Sequence, residues 1–231
     1  MLFQNDSNEY PISFGGSAFL VRFQDQRTFV VTAVHVLRES EFKLHQFRIQ
    51  CRPDVNALLP LGAHYRIHGS DAFDADQYDI AVWDVRPVSE AVYGHHKPYS
   101  VWPMEGNTIF TPAADYLYRG YPQQLRIPEY STQSYDQGAI TGSAKYVRRT
   151  ELECIHTLEF NALGPIHDLD GLSGSPVFQV TKDGDTYAVA SFAGMIIRGS
   201  AQSRLAHFVE SRRIVDMLQG IGAGNTIPFG T

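Results

Sequence analysis

The sequence predicts an all-β protein with one helix near its C-terminus, and two observations carry that prediction. Short alternating or β-branched runs recur at close intervals, as in a β-sandwich or barrel. Helical periodicity is convincing only from Phe208 to Leu218, where apolar residues fall about 3.6 positions apart and Gly220 follows. The predicted strands are Ala18–Phe23, Thr28–Ala33, Tyr78–Val85, Asp115–Tyr121, Ala139–Val147, Leu152–Asn161, Val177–Thr181 and Tyr187–Ile197.

Turn residues separate these strands, and two of the turns indicate hairpins. Gln24-Asp25-Gln26 lies between the first two strands, and Lys182-Asp183-Gly184-Asp185 precedes the last one. Asp-Gly suits the positive φ angles of a tight hairpin turn. The stretch from Tyr93 to Asn107 holds two prolines and two glycines. It is the candidate linker between two halves of similar β content.

Composition and charge exclude several classes of protein. The chain has 231 residues, 19% of them charged, and a formal net charge of −6, which fits neither a disordered chain nor a polybasic nucleic-acid binder. The first twenty residues lack a basic stretch followed by an apolar one, and no window approaches about 18 uninterrupted apolar residues. We therefore predict a cytoplasmic protein with no membrane segment and no nucleic-acid partner.

The most informative motif is Gly171-Leu172-Ser173-Gly174-Ser175-Pro176. A serine between glycines indicates a sharply turning backbone, which can expose the hydroxyl and direct successive N–H groups into one concavity. The N–H groups of Gly171 and Ser173 are the donors that a tetrahedral oxyanion needs. Taken alone, the segment could equally be an ordinary loop rich in glycine and serine.

Two other segments favour the catalytic interpretation over the ordinary loop. The β-branched run Val31 to Leu37 contains His35, although an isolated histidine in such a place is more often a core residue. Asp79 stands directly before an apolar strand, where a partly buried carboxylate needs a donor such as an imidazole N–H, although it could also cap a turn. Together the segments place His35, Asp79 and Ser173 in that order, 44 and 94 residues apart.

These segments resemble the motifs of the trypsin-like serine peptidases, which have the chymotrypsin fold. Thr32-Ala33-Val34-His35 resembles the histidine motif, Asp79-Ile80-Ala81-Val82 the aspartate motif, and Gly171 to Pro176 the nucleophile motif. The family's triad has the same order, with separations of about 45 and 93 residues. The resemblance covers residues 14 to 220 and is only architectural outside the motifs. The chain lacks the disulfides of secreted members, so the resemblance points to an intracellular member of prokaryotic type.

The resemblance implies a fold of two packed six-stranded antiparallel Greek-key barrels with a C-terminal helix, in one peptidase domain over residues 1–231. Residues 1–100 would form the first barrel, and residues 108–231 the second barrel and the helix. The site would lie in the cleft between the barrels. The implied activity is hydrolysis of peptide bonds in a protein or peptide substrate, with no cofactor and no metal.

The implied catalytic roles fall on three side chains. Ser173 is the nucleophile, and His35 is the general base that later protonates the leaving amine. Asp79 holds the imidazole in the productive tautomer. The N–H groups of Gly171 and Ser173 form the oxyanion hole. Other carboxylates compete for the third role, but only Asp79 leads directly into an apolar strand; the competitors are Asp71, Asp74 and Asp76.

The resemblance also implies a floor and a wall for the substrate pocket, formed by His167, Ile197, Arg198 and Gly199. A histidine floor and a nearby arginine would suit an acidic P1 side chain. A histidine satisfied by a neighbouring carbonyl would instead leave a small neutral pocket, and Asp168 and Asp170 could neutralise Arg198.

One position departs from the family pattern. Digestive members have an acidic residue directly before the serine, which pairs with a freshly cut N-terminus, and here that residue is Leu172. Leucine cannot form an ion pair, so we predict that N-terminal cleavage does not activate the protein. Regulation would then come through loops or through a protein partner.

Several other patterns have ordinary interpretations. His64 and His68 lack the glutamate of a zinc motif, and the acidic stretch Asp71 to Asp79 lacks the glycine and glutamate of a calcium loop. Cys51 and Cys154 match no metal or redox spacing, and a disulfide between them is improbable. Four charged residues are interpreted as the solvated face of the terminal helix: Glu210, Arg212, Arg213 and Asp216.

Two function classes remain. An α/β-hydrolase is excluded because Ser175 replaces the second glycine of G-x-S-x-G and the order of the triad is wrong. The first remaining class is an active serine endopeptidase. The second is a catalytically silent barrel pair that binds a peptide or protein partner, because a fold can host either.

Overall fold

The structure, a computed structural model, describes residues 15–24, 27–38, 61–66, 76–85, 98–101, 108–112, 114–129, 134–184 and 186–223, with the backbone of short strands at 2–4, 12–14, 47–48, 50–52 and 57–58. Most of the predicted linker lies outside these residues, as do Asp71, Asp74 and His68.

The first half of the chain forms an open five-stranded sheet with smaller sheets beside it. Its strands are β1 (Leu2–Gln4), β2 (Ile12–Phe14), β3 (Phe19–Phe23), β4 (Arg27–Thr32), β5 (Phe47–Arg48), β6 (Gln50–Arg52), β7 (Ala57–Leu58), β8 (Leu61–Arg66), β9 (Ala81–Val85) and β10 (Tyr99–Val101). The main sheet has the order β10-β3-β4-β9-β8, and the smaller ones are β2-β1-β5 and β6-β7.

The predicted β3–β4 hairpin is confirmed. Phe23 lies opposite Arg27 in an antiparallel register, and Gln24 turns the chain with a φ angle of 53°. Five consecutive residues of β4, Thr28 to Thr32, are buried because the strand lies at the centre of the sheet. The predicted linker contributes β10, which pairs in parallel with β3.

The second half contains a closed antiparallel barrel. Its barrel strands are β11 (Asp115–Gly120), β14 (Ile140–Arg149), β15 (Ile155–Phe160), β16 (Pro176–Asp183), β17 (Thr186–Ser200) and β18 (Leu205–Glu210), and a separate hairpin is formed by β12 (Arg126–Glu129) and β13 (Ser134–Gln137). The barrel order is β11-β14-β15-β18-β17-β16, and β16 pairs with β11 to close it. β16, β11, β14 and β15 are therefore spatial neighbours in the order of a Greek key.

The predicted all-β class and one six-stranded barrel are confirmed, but a second barrel is not shown. The first-half sheet is mixed, because β10 is parallel to β3. In the described part of residues 1–101, β10 and β8 lie at opposite edges of this sheet and no strand joins them.

The predicted helix begins later than the periodicity indicated. Phe208 to Glu210 belong to β18, and the helix α2 covers Ser211–Gly222. The strand continues because Val209 pairs on one side with Ile155 and on the other with Met195. A short helix α1 (His35–Arg38), absent from the sequence prediction, starts at the predicted histidine.

Two hydrophobic clusters organise the molecule. One fills the barrel interior, around Tyr118, Phe160 and Phe208. The other spans both halves and joins residues of the first sheet, such as Trp83, with Met195 and others on the outer face of the barrel and on α2. This shared cluster holds the two halves against each other beside the ends of β4, β9 and β17.

In the described residues, no helix has the length and apolar character needed to cross a membrane.

Candidate active site

His35 and Asp79 form a doubly bonded pair. The backbone N–H of His35 donates to Oδ1 of Asp79 at 2.8 Å, and Nδ1 of its ring lies 2.6 Å from Oδ2. The Asp79 side chain is 10% exposed and that of His35 is 38% exposed. Because a carboxylate accepts hydrogen bonds, Nδ1 carries the proton, and in the neutral ring this leaves Nε2 as the accepting nitrogen. This is the orientation predicted for a general base and its carboxylate.

A 3-10 turn over Asp76–Tyr78 delivers Asp79 to this position. The N–H of Ile80 donates to the carbonyl oxygen of Tyr78 at 2.8 Å, and Ile80 is fully buried. Two arginines of the second half hold the outside of the turn. Nη2 of Arg198 lies 2.5 Å from Oδ2 of Asp76, and the guanidinium of Arg213 lies 5.4 Å from the centre of the Tyr78 ring.

The loop before β16 carries Ser173 between two glycines with positive φ angles, 87° at Gly171 and 90° at Gly174. A side chain would be strained at both positions. At Gly174 a Cβ atom would also lie 1.9 Å from the carbonyl oxygen of Ser17. The predicted sharp turn is therefore present, and glycine permits both its dihedral angles and its close contact with the first half.

Every carbonyl of this loop from Asp170 to Ser173 accepts a hydrogen bond. The donors are the N–H of Gln123 to Asp170 (2.8 Å), the hydroxyl of Ser17 to Gly171 (2.6 Å), the N–H of Ser175 to Leu172 (2.9 Å) and the N–H of Ser17 to Ser173 (2.9 Å). These bonds fix the four peptide planes between residues 170 and 174.

Two N–H groups of the loop remain available. Leu172 donates to Leu169 and Gly174 donates to Ile196, whereas the N–H groups of Gly171 and Ser173 find no acceptor in the described part of the chain. A trans peptide directs its N–H opposite to its carbonyl, so these N–H groups point away from the bonds that fix their planes. They are the two donors that the sequence predicted for an oxyanion hole.

The Ser173 hydroxyl donates to the carbonyl oxygen of Ile197 at 3.0 Å. Its proton is therefore directed at β17 and not at His35. The loop and the histidine nevertheless belong to one region, because a Cβ atom on Gly16 would lie 2.8 Å from Val36 and 3.3 Å from the Ser173 carbonyl oxygen. Rotation about χ1 of Ser173 would redirect the hydroxyl.

The residues predicted to line a pocket have different environments. His167 is exposed, and its backbone N–H donates to Oε1 of Gln124 at 3.0 Å. Ile197 is buried and uses its carbonyl for Ser173. Gly199 allows Leu169 to approach, because a Cβ atom there would lie 2.6 Å from that side chain.

Arg198 has a different partner from the two aspartates suggested by the sequence. Its guanidinium pairs with Asp76, whereas Oδ1 of Asp168 accepts the N–H of Asp170 at 3.0 Å. His207 lies directly across the β17–β18 ladder from Arg198. Burial lowers the pKa of His207, and the positive charge of Arg198 lowers it further.

A second histidine–carboxylate pair lies at the far end of β15 and β18. Nε2 of His156 is 2.9 Å from Oε2 of Glu210, and its Nδ1 is 3.1 Å from the hydroxyl of Tyr146. The hydrogen bond from His156 lowers the pKa of Glu210. Both ring nitrogens are engaged within the barrel wall, so the pair is structural.

This pair corrects one prediction about the terminal helix. Glu210 is not part of a solvated helix face, because it ends β18 and its side chain is 16% exposed. The Nε atom of Arg213 is buried as well. The exposed pair Arg212 and Asp216 does match the prediction, with a separation of 4.0 Å.

Other predictions concern cysteines and metals. Cys154 is buried and takes part in no disulfide, and burial raises the pKa of its thiol to about 11. The side chains of Cys51 and His68 lie outside the described residues. Within the described part of the chain, no three side chains of His, Cys, Asp or Glu come together as a metal site would require.

Sequence reasoning identified His35, Asp79 and Ser173 but missed Ser17 and Gln123, which hold the carbonyls of the nucleophile loop. The Gly15-Gly16 pair directly before Ser17 was an available signal, because adjacent glycines often mark a close approach of two backbones. Nothing in the sequence distinguishes Gln123.

The chain matches no protein-family model and no curated protein.

Proposed function

We propose that this protein is a serine endopeptidase of the trypsin-like type, with Ser173 as nucleophile, His35 as general base and Asp79 as its orienting carboxylate. The observation that carries the proposal is the loop around Ser173, where the N–H groups of Gly171 and Ser173 are the two donors left without an acceptor among the described residues. A binding module would have no need for two unsatisfied donors beside a serine.

The proposed reaction begins with rotation of the Ser173 hydroxyl from Ile197 towards Nε2 of His35. Ser173 Oγ attacks the substrate carbonyl carbon while its proton passes to Nε2, and Asp79 stabilises the resulting imidazolium. The negative charge on the substrate oxygen is stabilised by the N–H groups of Gly171 and Ser173. The C–N bond then breaks as His35 returns the proton to the amine, and water hydrolyses the acyl-enzyme by the same steps.

The proposal includes the finer description of the fold. A closed Greek-key barrel packed against a sheet that carries the histidine and aspartate is compatible with the chymotrypsin fold, whose first barrel would correspond to the open sheet of residues 1–101. A protein or peptide substrate, a regulatory protein partner and a cytoplasmic location belong to the same proposal.

The second candidate is a catalytically silent module that binds a peptide or protein partner. One observation favours it, because the hydroxyl of Ser173 is hydrogen-bonded to Ile197 at 3.0 Å and is not directed at the histidine. Such a module would keep the cleft without activating the serine.

A fluorophosphonate probe separates the two candidates without knowledge of the P1 preference. In the active enzyme, Ser173 Oγ bonds to phosphorus, fluoride leaves and the serine proton passes to His35 and then to solvent, so the folded protein gains once the mass of the probe less that of hydrogen fluoride. We expect Ser173→Ala to abolish labelling. Ser203→Ala is the matched control, because Ser203 is an exposed serine in the turn after β17, and it should be labelled like the wild type. Folded wild-type protein that stays unlabelled would instead support the silent module.

A further inference from the structure

Ser17, in the first half of the molecule, takes part in four hydrogen bonds, and two of them go to the nucleophile loop. Its N–H donates to the carbonyl of Ser173 at 2.9 Å and its hydroxyl donates to the carbonyl of Gly171 at 2.6 Å. The same hydroxyl accepts the N–H of Tyr121 at 2.9 Å, and the Ser17 carbonyl accepts the hydroxyl of Thr32 at 2.7 Å. Ser17 is fully buried, so water cannot replace these partners.

The two carbonyls held by Ser17 lie on either side of the peptide that carries the Ser173 N–H. The Gly171 carbonyl belongs to the peptide before it and the Ser173 carbonyl to the peptide after it. The peptide held by the hydroxyl, between Gly171 and Leu172, lies between the two peptides that carry the Gly171 and Ser173 N–H groups, so its orientation sets the relative placement of those two donors. Without its bond to Ser17 this peptide could reorient at little cost, because glycine leaves the dihedral angles at residue 171 less restricted than other residues do.

Close backbone contact makes this arrangement specific. A Cβ atom on Gly174 would lie 1.9 Å from the Ser17 carbonyl oxygen and 2.6 Å from the Thr32 hydroxyl. No side chain fits between the loop and Ser17. Leu172 is buried in the barrel core and is neutral, so the residue before the nucleophile contributes no ion pair to the order of the loop.

We propose that Ser17 is a positioning residue that orders the oxyanion hole: its buried hydroxyl holds the Gly171–Leu172 peptide and its N–H holds the Ser173–Gly174 peptide, so that the Gly171 and Ser173 N–H groups face the substrate oxygen. This inference rests on the proposed peptidase function. In this arrangement the loop is ordered by residues of the uncleaved chain, so no new N-terminus is needed to order it.

The test compares labelling by a fluorophosphonate, whose phosphoryl oxygen occupies the oxyanion hole, in variants of one buried hydroxyl. Ser17→Ala removes the donor to Gly171 and keeps both backbone bonds of residue 17. We expect its second-order labelling rate to fall about 10- to 100-fold, less than the loss of a whole oxyanion donor. Ser211→Ala is the matched control, because Ser211 is equally buried at the start of α2, and it should be labelled within about twofold of the wild type.

A pH profile of the labelling rate distinguishes positioning of the loop from general damage. For Ser17→Ala we expect a lower plateau with the same apparent pKa as the wild type, because His35 and Asp79 are untouched. Ser17→Cys, with a similar volume and a weaker donor, should fall between the two, and it decides the matter alone if Ser17→Ala does not fold.

The outcomes separate this inference from the function on which it rests. A wild type that is not labelled overturns both. A labelled wild type with Ser17 variants at the same plateau overturns the role of Ser17 only. A plateau that falls together with a shifted apparent pKa also overturns it, because the substitution would then act through the histidine.

Discussion

At the scale of single residues, the Asp79 carboxylate holds both the backbone and the ring of His35. Each of its oxygens accepts one bond from His35, at 2.8 Å from the backbone and at 2.6 Å from the ring. The backbone bond fixes the carboxylate relative to α1, and the ring bond fixes the tautomer. A nearly buried carboxylate with two charge-assisted bonds is also held rigidly, and this fixes the orientation of the imidazole.

Asp79→Asn separates the bond to the His35 backbone from the bond to the His35 ring. The asparagine oxygen can still accept the backbone N–H of His35, but its amide cannot accept the ring N–H, so the ring adopts the other tautomer. We expect kcat to fall on the order of 10⁴-fold, with an unchanged circular dichroism spectrum.

Asp84→Asn is the matched control, because Asp84 lies in β9, directly after the turn that carries Asp79, and pairs with Arg27 at 2.7 Å with side-chain exposures of 30% and 39%. An ion pair that is partly open to water contributes little to stability, so this variant should keep its activity. A loss below about tenfold for Asp79→Asn would remove Asp79 from the proposed role.

The three residues of the proposed triad could be named from the sequence because each stands beside a recognisable local pattern: small residues before His35, an apolar strand after Asp79 and glycines around Ser173. Ser17 is marked only by the two glycines directly before it, and they do not indicate its role, because that role depends on partners 104 and 154 residues away. Hydrogen bonds to backbone groups at such separations leave no signature in the side chains.

At the scale of elements, the turn Asp76–Tyr78 and strand β17 meet across the two halves. Arg198 of β17 pairs with Asp76 at 2.5 Å, with side-chain exposures of 55% and 21%. The charge that would attract an acidic P1 side chain is thus already neutralised. The sequence predicted Arg198 as part of the pocket wall, and its ion pair gives it a second role in holding the turn that leads to Asp79.

Arg198→Ala separates these two roles. We expect the ratio of kcat/KM for a Glu P1 peptide to that for the matching Gln peptide to stay within about twofold of the wild type, since Asp76 occupies the guanidinium. Unfolding free energy should change by less than about 1 kcal/mol, as for other exposed pairs. Peptide kinetics and urea unfolding measure both quantities. A drop of tenfold or more in the Glu to Gln ratio would assign Arg198 to the substrate.

The start of the C-terminal helix illustrates what local patterns leave undecided. Phe208 and Val209 satisfy helical spacing with Ile214 and Leu218, but they equally continue a strand. Val209 adopts the strand conformation because it pairs with Ile155 of β15 and Met195 of β17. These partners lie 54 and 14 positions upstream, outside the local pattern. Strands with clear alternation and turns were predicted within a few residues, whereas closure of a sheet into a barrel depends on long-range register.

At the scale of the whole molecule, the two halves share one hydrophobic cluster. Val31 and Trp83 of the first sheet belong to the same buried cluster as Met195 and Val209 of the barrel and Ile214 of α2. Separating the halves would expose this surface to water at a cost of about 25 cal/mol per Å². The placement of His35 relative to Ser173 therefore depends on the same contacts that stabilise the fold.

We accordingly expect the protein to unfold in urea as one cooperative unit. Trp83, which is buried in β9 of the first half, contributes to the tryptophan fluorescence, whereas far-UV circular dichroism also reports the barrel strands. Coincident curves indicate a single transition.

Met195→Ala, at a fully buried position of the shared cluster, should lower the unfolding free energy by about 2 to 5 kcal/mol and move both curves together. Val189→Ala, on the same strand but 52% exposed, should leave both midpoints unchanged. If Met195→Ala instead separates the fluorescence curve from the dichroism curve, the halves unfold independently and the shared cluster does not couple them.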